Sequence, residues 1–188
     1  MFAIFVVMSY KFLLNFLMPA FCLSSLALGP VSSAQECRTW MPGAVFSPKE
    51  VGVSVTLLKP DKTSLYFGIA ADTSDVLIGS PVTTGVRLCF NYDLPVFSSV
   101  WNDIPFSIYA GPGLVCGYLH DAGRTDMGVM AGTGCNSGIR FDMWHDTCLT
   151  LEWKLDLAFI LTDNTNLEVY RTGLKYFYIP CLIIQHAF

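Results

Sequence analysis

Charge is scarce in this 188-residue chain: Asp, Glu, Lys and Arg make up 14% of it, against 53% hydrophobic residues. No polybasic run and no acidic tail occurs, so there is no electrostatic footprint for nucleic acid. Seven cysteines are present but none forms a Cys-x-x-Cys pair, which removes the signature of zinc ribbons and of thioredoxin chemistry. A Gly-x-Ser-x-Gly nucleophile elbow is absent. Gly111-x-Gly113 and Gly132-x-Gly134 lie within strand-like runs rather than ahead of helices, so the phosphate-binding context is missing too. Beyond residue 34 no run of about 18 apolar residues occurs, and no transmembrane helix is available. No metal or cofactor is expected.

What is there begins with an export signal. Lys11 supplies a basic start, residues 12–29 an apolar core, and Val31-Ser32-Ser33-Ala34 a small-residue exit. Residues 1–34 are therefore expected to be a cleaved signal peptide, with Met8 as an alternative start, and residues 35–188 the exported domain. Asn15 and Pro19 argue against a retained membrane helix, and bulky Phe21 against a lipid anchor on Cys22. Without Lys11 the balance is 10 basic against 15 acidic side chains, a net charge of −5. Export makes disulfides chemically accessible to Cys37, Cys89, Cys116, Cys135, Cys148 and Cys181. Six cysteines allow 15 pairings, however, and a role as small apolar wall residues explains them equally well.

Period-two alternation dominates the rest. Leu149, Leu151, Trp153, Leu155, Leu157, Phe159 and Leu161 occupy every odd position of residues 149–161, opposite Thr150, Glu152, Lys154 and Asp156. The same pattern runs through residues 51–57, 65–70, 86–94, 106–120, 128–143 and 173–188; Val86, Leu88 and Phe90, for example, alternate with Arg87, Cys89 and Asn91. With an opening strand inside residues 37–47, where Pro42 is an awkward member, the count is eight. In the last run Tyr176, Tyr178, Leu182, Ile184 and Phe188 share one parity.

The glycines orient the faces. Gly111, Gly113, Gly117, Gly132, Gly134 and Gly138 share the polar face, where a solvent-exposed strand would gain nothing from them. The crowded interior of a small barrel does need small residues beside large or charged ones. The polar face is thus predicted to look inward and the apolar face outward into lipid. Runs of 13–16 residues also exceed the roughly 9–11 that cross a bilayer at a tilt. The predicted fold is all-β: a closed up-and-down antiparallel transmembrane barrel of about eight strands.

On the signal segment, the Gly-rich run Tyr109-Ala110-Gly111-Pro112-Gly113, and the ending that carries Leu182, Ile184 and Phe188, the chain resembles the small eight-stranded outer-membrane β-barrels of OmpA type. The resemblance covers most of residues 50–188. It implies residence in the outer membrane of a Gram-negative envelope, contact with outer-membrane lipid, and insertion by the barrel-assembly machinery, which in that family reads a terminal aromatic and the alternate hydrophobes before it. Leu182, Ile184 and Phe188 match that signal; His186 departs from its usual apolar or aromatic residue. With the terminus at the periplasmic rim, residues 59–63, 95–104 and 144–147 become periplasmic turns, and residues 72–83, 121–127 and 162–172 outside loops. Loops this short leave little surface for gripping a large partner, and a monomer is expected.

Arg87, Asp93, Arg140, Asp142, Glu152, Lys154 and Asp156 share the inner face. They can line a charged pore or pair with one another as a plug, and an eight-stranded interior is about wide enough for its own side chains alone, which favours the plug. The expected role is structural or surface-interacting and non-enzymatic. Two alternatives stay open. His120-Asp121 or His145-Asp146, about 25 Å apart at opposite rims, could serve an outer-membrane lipid acyltransferase or esterase as base. A secreted soluble barrel would instead turn Leu151 and Trp153 inward around an apolar ligand. Trp101, Trp153, Tyr118, Tyr176 and Tyr178 are candidate interfacial anchors.

Overall fold

The computed structural model describes residues 39–124, 126–143, 146–162 and 166–188. The expected signal segment, Cys37 and His145 lie outside the described residues. Strands β1 (Thr39–Phe46), β2 (Glu50–Leu58), β3 (Ser64–Asp72), β4 (Gly85–Trp101), β5 (Ile104–Leu119), β6 (Gly128–Asp142) and β7 (Thr147–Thr162) follow one another as antiparallel neighbours. The short β8 (Leu167–Val169) and β9 (Cys181–His186) both pair with β7. β9 also pairs with β1, so the sheet runs round into a closed ring. The fold is an antiparallel up-and-down β-barrel, and closure leaves no edge along most of the wall.

Side-chain alternation carries through the ring. Along β7 the even positions from Cys148 to Thr162 are buried, while Leu157, Phe159 and Leu161 are exposed. β4 repeats this with Arg87, Cys89, Asn91 and Asp93 inside and Val86, Phe90 and Leu94 outside. Leu151 and Trp153 face outward, the reverse of what a soluble barrel with an apolar cavity requires. Glycines make the interior possible. A Cβ on Gly138 would stand 2.5 Å from the Tyr109 hydroxyl oxygen, on the residue paired directly across the strand, so the ring lies flat over the bare backbone. Gly68 gives the Tyr66 ring the same room.

Several expectations need correction. Residues 95–104 are not a long turn: β4 and β5 continue as a hairpin to a two-residue turn at Asn102 and Asp103, whose φ angles of 48° and 63° mark the left-handed pair that matches strand twist. β3 stops pairing at Ser64 opposite Asp93, so β4 from Leu94 onward is an unpaired edge with both faces exposed, and Trp101 at its tip is 64% exposed. Pro95 and a bulge between Pro95 and Phe97 sit where that edge begins. Pro42 is tolerated in β1 because β1 pairs with β9 only from Gly43 to Phe46.

The last run is not one strand. After Val169 the chain leaves the wall, forms a helical turn α1 (Arg171–Lys175), and returns as β9 only after Pro180. Tyr176, expected outside, is buried, as are Tyr170, Thr172 and Gly173. The turns at residues 59–63 and 102–103, with Met143 and Asp146, lie at one end of the barrel, together with the start of β1 and the final residues. There Phe188 N donates to Trp40 O at 3.0 Å, and Ala187 N to Asp146 O at 2.7 Å. The other end carries residues 47–49, 73–84, 120–124, 126–127 and Asn166.

Candidate functional site

The interior is layered. Nearest the loop end, Leu119, Met130, Ile160 and Tyr170 make an apolar layer. Below it β7 projects Asp156, Lys154 and Glu152 at successive inward positions, all buried, with Glu152 at 0% exposure. Arg87 of β4 is ion-paired with Asp156, and its Nη1 lies 3.5 Å from Glu50 Oε2 on β2. Lys154 Nζ donates to Glu50 Oε1 at 2.7 Å and lies 3.5 Å from Glu152 Oε1. Glu50 thus joins the two cations, and Cys181 Sγ donates to it at 3.2 Å. Glu152 Oε2 accepts from Tyr109 Oη at 2.6 Å and from Asn136 Nδ2 at 3.3 Å. Asn136 Nδ2 also donates to Asp93 Oδ1 at 2.8 Å, and Ser64 Oγ to Asp93 Oδ2 at 3.1 Å.

Of the seven inner-face charges read from sequence, the structure joins Arg87, Glu152, Lys154 and Asp156 by ion pairs and ties Asp93 to Glu152 through Asn136. The other two stand apart. Asp142 is exposed at the end rim, where β6 finishes, and accepts from Cys148 Sγ at 3.3 Å. Arg140 is buried but joins no ion pair among the described residues; its guanidinium lies over the Tyr109 ring, 5.2 Å from the centroid. Glu50 stands one residue before the alternating run that opens at Val51, and extending that parity back puts it on the face of Gly52, Ser54 and Thr56. Within this network lies a void of 10 Å³ lined by Asn91, Asn136, Lys154 and Asp156 among others, about the room one water needs.

A cap closes the loop end. α1 has no side-chain N-cap of its own. Asp121, from the β5–β6 loop, takes that part: its Oδ1 accepts from Thr172 N at 2.8 Å and Thr172 Oγ1 at 2.6 Å, and its Oδ2 from Arg171 N at 3.3 Å. Tyr170 Oη donates to Asp72 Oδ2 at 3.4 Å, and Arg124 is ion-paired with Glu168. His120 does not pair with its sequence neighbour Asp121; its Nε2 is 2.8 Å from Asp75 Oδ2, and at 2% exposure the imidazole is closed to a substrate. Lys49, in the turn between β1 and β2, is buried, and burial holds its ammonium below the usual lysine range, opposed by nearby Cys181 and Glu50.

Leu182 and Ile184 point outward from β9, and Phe188 packs edge-on against His186 with centroids 4.7 Å apart. The cysteines among the described residues, Cys89, Cys116, Cys135, Cys148 and Cys181, are all free thiols. No cluster of His, Cys, Asp or Glu suited to a metal ion occurs among the described residues. No described helix is long and apolar enough to cross a membrane.

No protein-family model and no curated protein matches the chain. A solved structure similar to it is the crystal structure of the N-terminal β-barrel domain of Pseudomonas aeruginosa OprF, with a TM-score of 0.49 and 10% identity over 82% of this chain and 100% of that one. The barrel assignment rests on the strand register given above, not on this likeness.

Proposed function

We propose that the chain is an integral outer-membrane β-barrel of a Gram-negative envelope, monomeric and non-enzymatic, with a structural or surface-interaction role and a lumen plugged by its own paired charges. The observation that carries this reading is inverted polarity. Val53, Phe67, Phe90, Leu114, Val129, Leu157 and Phe159, from β2 to β7, are exposed on the outer wall, while Glu50, Arg87, Glu152 and Lys154 are buried within. A soluble monomer rarely exposes an apolar patch beyond a few hundred Å²; a barrel in lipid needs such a girdle. β4 to β7, at 15–17 residues, have length to spare for a bilayer, and β1 to β3, at 8–9, sit at the short end of the required span.

Leu182, Ile184 and Phe188 are the segment that barrel-insertion machinery would read, and outer-membrane lipid would be the solvent of the wall. Plugging is supported by the ion-paired middle layer and by the α1 cap above it. The test is membrane fractionation followed by an unboiled and boiled gel. The expected result is a detergent-extracted band that shifts on boiling, together with planar bilayers that show no steady conductance. A mature protein that stays soluble without detergent overturns the membrane assignment, and steady channel currents overturn the plug.

A further inference from the structure

At the end of the barrel that carries the start of β1 and the final residues, a cavity of 340 Å³ opens between the lumen mouth and the projecting β4–β5 hairpin. That volume falls in the range of small-molecule sites. Arg140 lines it: it is 7% exposed, makes no ion pair among the described residues, and its Nε is buried without a hydrogen-bond partner. The acids nearest in the network are engaged elsewhere, Asp93 by Ser64 and Asn136, and Glu152 by Tyr109, Asn136 and Lys154. The guanidinium carbon lies over the Tyr109 ring. The N–H donors of a guanidinium form a planar fork, the geometry that matches a carboxylate bidentately.

From these facts the geometry points to a binding site for a small organic carboxylate at this mouth, with Arg140 as the anchor. Ser98, Ser99 and Ser107 line the same cavity and supply hydroxyl donors, while Leu58, Val100 and Phe106 give an apolar body somewhere to lie. Lys62 and Asp142, also on the lining, are of opposite sign, so Arg140 leaves the lining with one formal positive charge, which suits a monoanion. Asp93 acts on Arg140 only from beyond ion-pair distance, and an incoming carboxylate would make the direct charge-assisted bonds that the lumen does not provide. The lining also holds Ser64 and Tyr109, which hydrogen-bond to Asp93 and Glu152, so the site adjoins the lumen network.

The test uses the protein in lipid nanodiscs, with arginine Nε–H resonances followed by NMR during titration with hexanoate, with hexanol of the same chain length, and with inorganic phosphate. Hexanoate is expected to shift one arginine resonance saturably, hexanol not at all, and phosphate more weakly than hexanoate. Arg140→Gln should remove that resonance and weaken hexanoate about tenfold or more. Asp142→Asn, which removes the opposing charge, should tighten it about two- to five-fold. Both variants are first checked for the boil-dependent gel shift. If Arg140→Gln does not fold, the sign of the Asp142→Asn effect and the hexanol control decide. Non-saturable shifts, equal binding of hexanol, unchanged affinity in Arg140→Gln, weaker binding in Asp142→Asn, or phosphate binding as tight as hexanoate each overturn the assignment.

Discussion

Replacing Arg87 by Met keeps much of the side chain's length and deletes its charge. The loss falls unequally on its two partners. Glu50 keeps Lys154 Nζ at 2.7 Å and the Cys181 thiol, so it remains compensated. Asp156 has no other hydrogen-bond or ion-pair partner among the described residues, and it is buried. Arg87→Met therefore strands one carboxylate, and removing one member of a buried pair typically costs about 3–5 kcal/mol, or two to nearly four decades in the folded-to-unfolded ratio. The double variant Arg87→Met/Asp156→Leu removes the stranded charge as well. It should recover most of that loss, because a well-packed apolar pair in place of a buried ion pair is often neutral or better.

Equilibrium urea unfolding in lipid vesicles, read by tryptophan fluorescence and by the midpoint of the gel shift, measures both variants against the parent. The reasoning fails if Arg87→Met lies within about 0.5 kcal/mol of the parent, the range expected of a solvated surface charge. It also fails if the double variant is as unstable as the single one, which would mean that shape rather than the uncompensated carboxylate sets the cost.

Three further outcomes follow from the same geometry. Gly138→Ala places a methyl 2.5 Å from the Tyr109 hydroxyl oxygen and 2.9 Å from Leu151 O, so the ring must move off Glu152, and a loss of about 1–3 kcal/mol is expected in the same urea titration. Asp121→Ala removes the acceptor of three bonds to Arg171 and Thr172; hydrogen exchange at residues 171–176 should rise, while the amides of β4 to β7 keep their protection. Burial lowers the Lys49 pKa in the folded state below its ordinary 10.5, so between the two values the unfolded chain binds more protons and stability rises with pH. Lys49→Met should abolish that contribution to the alkaline slope, measured as the difference between the two urea midpoints across pH.

Legibility in the sequence tracks the range of the interactions that decide each feature. Strand parity is local, so the faces of β4, β6 and β7 follow directly from residues such as Arg87, Arg140 and Glu152 and from the apolar neighbours between them. Strand ends are weaker signals. Residues 95–104 hold Pro95 and the polar pairs Ser98-Ser99 and Asn102-Asp103, which break regular alternation, and nothing local says that Asn102 and Asp103 will take the left-handed turn that lets the strands run on. The break in the last stave was illegible for another reason. Residues 173–188 keep an alternating pattern, but α1 is held inside the barrel by Asp121, some fifty positions earlier, a capping partner that no window along the chain contains. The same limit applies to pairing. Parity places Asp142 on the inner side but cannot say that β6 has reached the rim by then.

The way the charges are shared out bears on what holds this barrel in one register. In lipid, the outward Leu, Val and Phe side chains gain little from one arrangement of staves over another, because acyl chains are as apolar as they are. Discrimination must come from inside. Glu50 on β2 reaches Lys154 on β7, and by the shorter way round the ring these strands are three staves apart, with β1 and β9 between them. Arg87 on β4 reaches β2 and β7 together. Slipping any of these strands by one residue would send its charge to the lipid face and bring an apolar side chain into the lumen. The ion pairs across the lumen thus do for this fold what a hydrophobic core does for a soluble one, and the strands they brace include β2, one of the short staves.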